Sequence, residues 1–182
     1  MRRIVWVVAA LAAIAASASA GESTPFSARA GLEIARDAAQ SWAADAQLVY
    51  LENDERVGPD GAAVRWGYLF YSPGKGKARG YSVRDGKILE AADLGFDFES
   101  PPLTDEWIDS HAARVAAEAK AGQAYCREYH GHLATMLLIR GAFHEKKPDA
   151  TTWTLVYESD TQPPLLVIVD ASNGDVVRTL RG

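Results

Sequence analysis

Two copies of one pattern lie along this chain, and they constrain its fold more than any other feature. Trp66-Gly67-Tyr68-Leu69-Phe70-Tyr71-Ser72 is answered 87 positions later by Trp153-Thr154-Leu155-Val156-Tyr157-Glu158-Ser159. Each run leads to a further strand and a turn: Asp85-Gly86-Lys87-Ile88-Leu89 in the first copy and Asn173-Gly174-Asp175-Val176-Val177, 88 positions on, in the second. A fixed internal period marks a repeated supersecondary unit.

The elements around these runs read alike. Leu32, Ala35, Ala39, Trp42 and Ala46 step by three and four after Ala28, one apolar helix face, with Ser27 as the expected N-cap. Leu48–Leu51, Ala63–Tyr71, Gly80–Arg84 and Lys87–Ala91 read as strands, the last two joined at Asp85-Gly86, which suits a two-residue hairpin turn. In the second half Ile108, Ala112, Val115, Ala119, Gly122 and Cys126 predict a longer helix broken near Gly122, with Thr104 as cap and Leu103 stapled onto Ile108. Strands follow over Leu133–Ile139, Thr151–Glu158, Leu165–Asp170 and Asp175–Leu180. A one-sided helix and a one-sided meander each need a cover. The expected fold is therefore α+β, two tandem repeats, each a helix packed on a four-stranded antiparallel sheet. The expected boundaries are 21–93 and 104–182, with 94–103 as linker.

Residues 1–20 read as a signal peptide. Met1-Arg2-Arg3 is basic, Ile4–Ala16 is an apolar run of 13 residues, and Ala18-Ser19-Ala20 offers small residues for cleavage near Ala20-Gly21. A membrane span needs about 20 apolar helical residues, so no permanent span is expected. Cleavage would remove two arginines and take the formal charge from −5 to about −7, which argues against nucleic acid as a partner. Cys126 is the one cysteine, so an exported chain of this kind is held by packing without an internal disulfide.

Val169-Asp170-Ala171-Ser172-Asn173-Gly174-Asp175-Val176 resembles the terminal segment of a PepSY domain, Val-Asp-Ala-x-x-Gly-x-Val, and Val83-Arg84-Asp85-Gly86-Lys87-Ile88 stands in the same place in the first half. The resemblance covers most of residues 28–181, the second half better than the first. It implies a small extracytoplasmic module that binds or restrains peptidases, with no shared catalytic residue. The tandem plan is also similar in outline to the beta-lactamase inhibitory proteins, whose disulfides a single-cysteine chain cannot form.

Candidate chemistry is sparse. Cys126, His130 and His132 could hold zinc or copper, although structural zinc usually takes four protein ligands; otherwise Cys126 extends an apolar stripe. A Cys-His hydrolase would pair Cys126 with His130 or His111, against the expected burial of the thiol. Ser72-Pro73-Gly74-Lys75 spells the Ser-x-x-Lys of penicillin-recognising enzymes, but Pro-Gly makes a turn where that chemistry needs a helix. Gly74-Lys75-Gly76-Lys77 lacks the spacing of a phosphate loop. The acids Asp93, Asp97, Glu99, Asp105, Glu106 and Asp109 do not alternate as calcium ligands do; Asp105 and Glu106 suit a first helical turn, and Phe96 and Phe98 suggest an extended docking piece.

The expected function is accordingly an exported, periplasmic or secreted, non-enzymatic binding module with no cofactor. It would restrain or dock a peptidase or another protein or peptide of the cell envelope through its sheet surface and hairpin loops. Trp66, Tyr68, Trp153 and Tyr157 are the candidate contact aromatics, with the tryptophans equally readable as core, and Lys75, Lys77 and Arg79 the candidate orienting charges. The alternative is a periplasmic metal-binding protein using Cys126 and His130.

Overall fold

The computed structural model describes residues 23–94, 100–144 and 146–182. The expected signal peptide and cleavage site, and Asp97, Glu99, Phe96 and Phe98, lie outside the described residues. The elements follow the order α1 (Leu32–Trp42), β1 (Gln47–Asn53), β2 (Arg65–Ser72), β3 (Lys77–Arg84), β4 (Lys87–Asp93), α2 (Ser110–Ala117), a π-helical turn (Glu118–Gly122), α3 (Gln123–Tyr129), β5 (His132–Arg140), β6 (Thr151–Glu158), β7 (Leu165–Asp170) and β8 (Val176–Arg181).

The eight described strands form one antiparallel sheet in the order β4-β3-β2-β1-β5-β6-β7-β8. This corrects the expectation of two separate four-stranded sheets. The first strand of each half would be an edge if the halves stood apart, with unpaired N–H and C=O groups. Instead β1 and β5 pair with each other through Tyr50–Ile139, Leu51–Leu138 and Glu52–Leu137. Asn53 lengthens that short seam: its Oδ1 accepts from the Met136 amide at 2.6 Å, and its Nδ2 donates to the Ala134 carbonyl at 3.1 Å.

The helices pack on one face, over a single buried cluster that runs across both halves, from Leu32, Leu51 and Phe70 to Met136, Leu155 and Val167. On α1 the predicted stripe is the one used, with Leu32, Ala35 and Ala39 buried. The second helix is different. It buries Ser110, Ala113 and Ala117, while Val115 is 55% exposed and Ala112 and Ala119 are exposed too. Its alanines are spread around the circumference, so sequence spacing alone does not choose a face. The π-helical turn then adds a residue to one turn, shifting the phase so that Gly122 and Tyr125 face inward. Gly122 lies against the Tyr157 ring so closely that an added Cβ would sit 2.3 Å from Cζ.

The helix starts also depart from expectation. Gly31, not Ser27, is the cap position of α1, and it makes no side-chain cap bond. Asp109 caps α2 by accepting from the Ser110 amide at 2.7 Å. Thr104 instead bonds Thr151, and Asp105 and Glu106 precede the helix rather than opening it. The hairpin turn at Asp85-Gly86 has both residues at positive φ, 49° and 70°, as the sequence predicts.

Candidate binding surface

The four aromatics singled out from the sequence are all in the core: Trp66, Trp153 and Tyr157 are 0% exposed and Tyr68 is 1%. They fix the helices to the sheet. Trp66 Nε1 donates to the Phe26 carbonyl and Trp153 Nε1 to the Ile108 carbonyl, each at 2.8 Å, and Tyr68 Oη donates to the Ala28 carbonyl at 2.7 Å. The two indoles meet edge to face at 6.4 Å, and Trp107 meets Trp153 edge to face at 5.9 Å. Side chains so enclosed offer no surface to a partner while the helices are docked.

Of the loop cations, Lys75 and Lys77 are exposed and Arg79 is half-buried. Arg79 pairs with Asp93 at 3.5 Å, and both Lys75 and Arg79 lie near the Trp42 ring on the helix side of the sheet. Ser72 is buried and bonds Asp45, which also accepts from the Gly74 amide. Those two bonds hold the Asp45 carboxyl below its usual range. The Ser72–Lys75 stretch is thus a braced hairpin turn.

Cys126 is partly buried against the core, and burial pushes its thiol up, away from the thiolate that a nucleophile or metal ligand requires. His130 ends α3 in the left-handed region at φ 52°, and His132 opens β5 on the surface. Among the described residues no group of three His, Cys, Asp or Glu side chains is placed to hold a metal ion. His111 bonds the Asp60 carbonyl through Nδ1 at 2.8 Å.

Asp170, the last residue of β7, organises its end of the sheet. Its Oδ1 accepts from the Ser172 amide and hydroxyl at 2.9 and 2.6 Å, closing the turn before β8, and its Oδ2 accepts from Lys147 at 3.0 Å beside His144 at 3.4 Å. Although burial opposes ionisation, the bonds from Ser172 and Lys147 hold its carboxyl down at about 2. A carboxyl lowered by folding contributes stability above its unfolded value near 3.8, and that contribution is lost as pH falls through about 2. Asp170→Asn should cost about 1–2 kcal/mol at pH 5. In urea melts the gap to the unsubstituted protein should narrow by pH 2.5; a gap independent of pH would refute this role for the charge.

The sheet face opposite the helices holds the feature that sequence reasoning missed. Alternation places Tyr50 and Glu52 of β1, Gly67 and Leu69 of β2, Gly80 and Ser82 of β3, and Glu90 and Ala92 of β4 on that face. Register sets Gly80 directly opposite Leu69 and Gly67 opposite Ser82, so small residues fall together in the middle of four strands. The result is a mostly apolar cleft of about 510 Å³. A Cβ on Gly80 would meet nothing nearer than the Ala92 carbonyl at 3.9 Å, so the absent side chain is open space.

Carboxylates rim the cleft. Glu52 accepts from Tyr50 Oη at 2.6 Å, and burial together with that carboxylate pushes the phenol well above its ordinary value. Asp54 reaches over Gly67, accepts from Ser82 Oγ at 2.7 Å and pairs with Arg65 at 3.4 Å. Glu90 is exposed. Across the seam the same face differs: Thr152, Thr154 and Ile168 are buried, and Thr152 donates to the Ala142 carbonyl of the β5–β6 turn. The glycine positions on β2 and β3 were legible as residues; their convergence depends on strand register.

No protein-family model matches the chain, and no curated protein matches it in sequence. Among solved structures it is similar to a protein described as a "putative lipoprotein" from Clostridium difficile 630, at 14% identity and a TM-score of 0.56, covering 81% of this chain and 90% of that one. At that identity the likeness concerns the fold alone. No helix of the described residues is long and apolar enough to cross a membrane.

Proposed function

We propose that this protein is an exported binding module that holds a protein or peptide of the cell envelope against the helix-free face of its sheet. The observation that carries this reading is the cleft of about 510 Å³ on that face, floored by Gly67 and Gly80 and lined mainly by apolar surface. Sites that receive a ligand group are concave, largely apolar and edged by a few polar groups. On the helix side Trp66 and Trp153 are fully enclosed in the core cluster. The basic start and apolar run of residues 1–16 support export, and the PepSY-like segment supports a peptidase as the partner class.

The reading is tested with a photo-crosslinking amino acid at Leu69, in the cleft, and at the exposed Val115 on α2 as control. Leu69 should give a discrete protein adduct in the cell envelope that Val115 does not give. Gly80→Val should abolish it, because the new side chain fills the cleft without straining the backbone. Equal adducts at the two positions, or none at Leu69, would refute the proposal.

A further inference from the structure

Resting on that reading, we infer that the cleft receives an arginine or lysine side chain of the partner. Three observations converge. The lining is mostly apolar, with the Leu69 side chain and the Tyr50 ring beside the space left by Gly80, and suits the methylene stem of a long basic residue. The rim is acidic from two sides: Glu52 projects from β1 and Glu90 from β4, and neither meets a cation among the described residues. Arg65, by contrast, is taken up by Asp54 and Glu55. The chain as a whole is acidic, with a formal charge of −5, which favours encounter with a basic segment.

An apolar side chain would fill the volume but leave Glu52 and Glu90 uncompensated. An acidic one would add like charge to both. A basic side chain satisfies floor and rim together, and its charged head can remain hydrated at the mouth while the stem is covered. Glu52 is already oriented by the Tyr50 hydroxyl, so one of the two carboxylates is positioned before any partner arrives.

The probe is a capped alanine pentapeptide with arginine at its centre, compared with norleucine and glutamate counterparts, titrated into the isotopically labelled protein and followed by amide NMR shifts. The arginine peptide should shift Gly67, Leu69 and Gly80 saturably, and the norleucine and glutamate peptides should not. Binding should weaken at least fivefold in the double variant Glu52→Gln/Glu90→Gln, and again between low and high salt. Gly80→Val should remove it.

Equal binding of the norleucine peptide would overturn the basic occupant, as would the absence of shifts at millimolar concentrations of the arginine peptide. The crosslink at Leu69 separates the two readings. An adduct there with no preference for arginine leaves the binding face standing and removes its basic ligand, whereas failure of both removes the binding face as well.

Discussion

Trp153→Ala is expected to destabilise the protein by about 3–5 kcal/mol, the range for truncating a large buried aromatic. The side chain is fully enclosed, packs edge to face with both Trp66 and Trp107, and donates to the Ile108 carbonyl just before α2. Its loss would open a cavity at the junction of the two halves and leave that carbonyl without its donor. Domains of ordinary size have about 5–15 kcal/mol in total, so the variant should be partly unfolded or melt about 10 °C lower. Trp153→Phe retains part of the ring packing but not the N–H, and should fall between. Thermal and urea unfolding measure both, and a loss below about 1 kcal/mol for the alanine variant would contradict this account of the core.

Asn53→Ala is expected to cost about 3 kcal/mol and to loosen the middle of the sheet. The seam between β1 and β5 has three paired positions, and Asn53 extends it by bonding the Met136 amide and the Ala134 carbonyl while also donating to the Glu55 carbonyl at 2.9 Å. Removing the amide side chain leaves three partly buried backbone groups without that partner, and each can cost about 1 kcal/mol or more. Hydrogen exchange should quicken at Met136 well before it does at the β6–β7 ladder. Asn53→Asp keeps the acceptor but loses both donor bonds, so it should be intermediate in stability. Unchanged exchange at Met136 in the alanine variant would show that the three ladder pairs suffice.

Local signals were readable because they depend on neighbours in the chain. The Thr151–Glu158 and Leu165–Asp170 strands stand as alternation and composition place them, and Asp85-Gly86 makes the turn its residues favour. The Leu32, Ala35 and Ala39 stripe chooses its own face because the rest of α1 is largely polar. In α2 small apolar residues occur all round, and the choice of Ala113 and Ala117 follows from what the sheet beneath them accepts.

The candidate contact aromatics show a different limit. On β2 the sequence sets Trp66, Tyr68 and Phe70 on one face and Leu69 and Tyr71 on the other, and both are apolar enough to be buried. Which face receives a helix is decided by the Phe26 and Ala28 carbonyls, brought up by the segment entering α1 to accept from Trp66 and Tyr68. The cleft follows from the same decision, since Leu69 is left on the face with no helix.

The sequence by itself determined the strands, their main turns, the helix of the first half and the acidic character of the chain, all of which rest on side-chain periodicity and composition. Tertiary structure decided that the halves share one sheet, that their tryptophans are core, and that the strand register leaves open space at Gly80 to make a cleft. The reason is physical. Pairing of Tyr50 with Ile139 joins residues far apart in the chain, and its free energy comes from satisfying two exposed strand edges at once, a quantity that no local window contains.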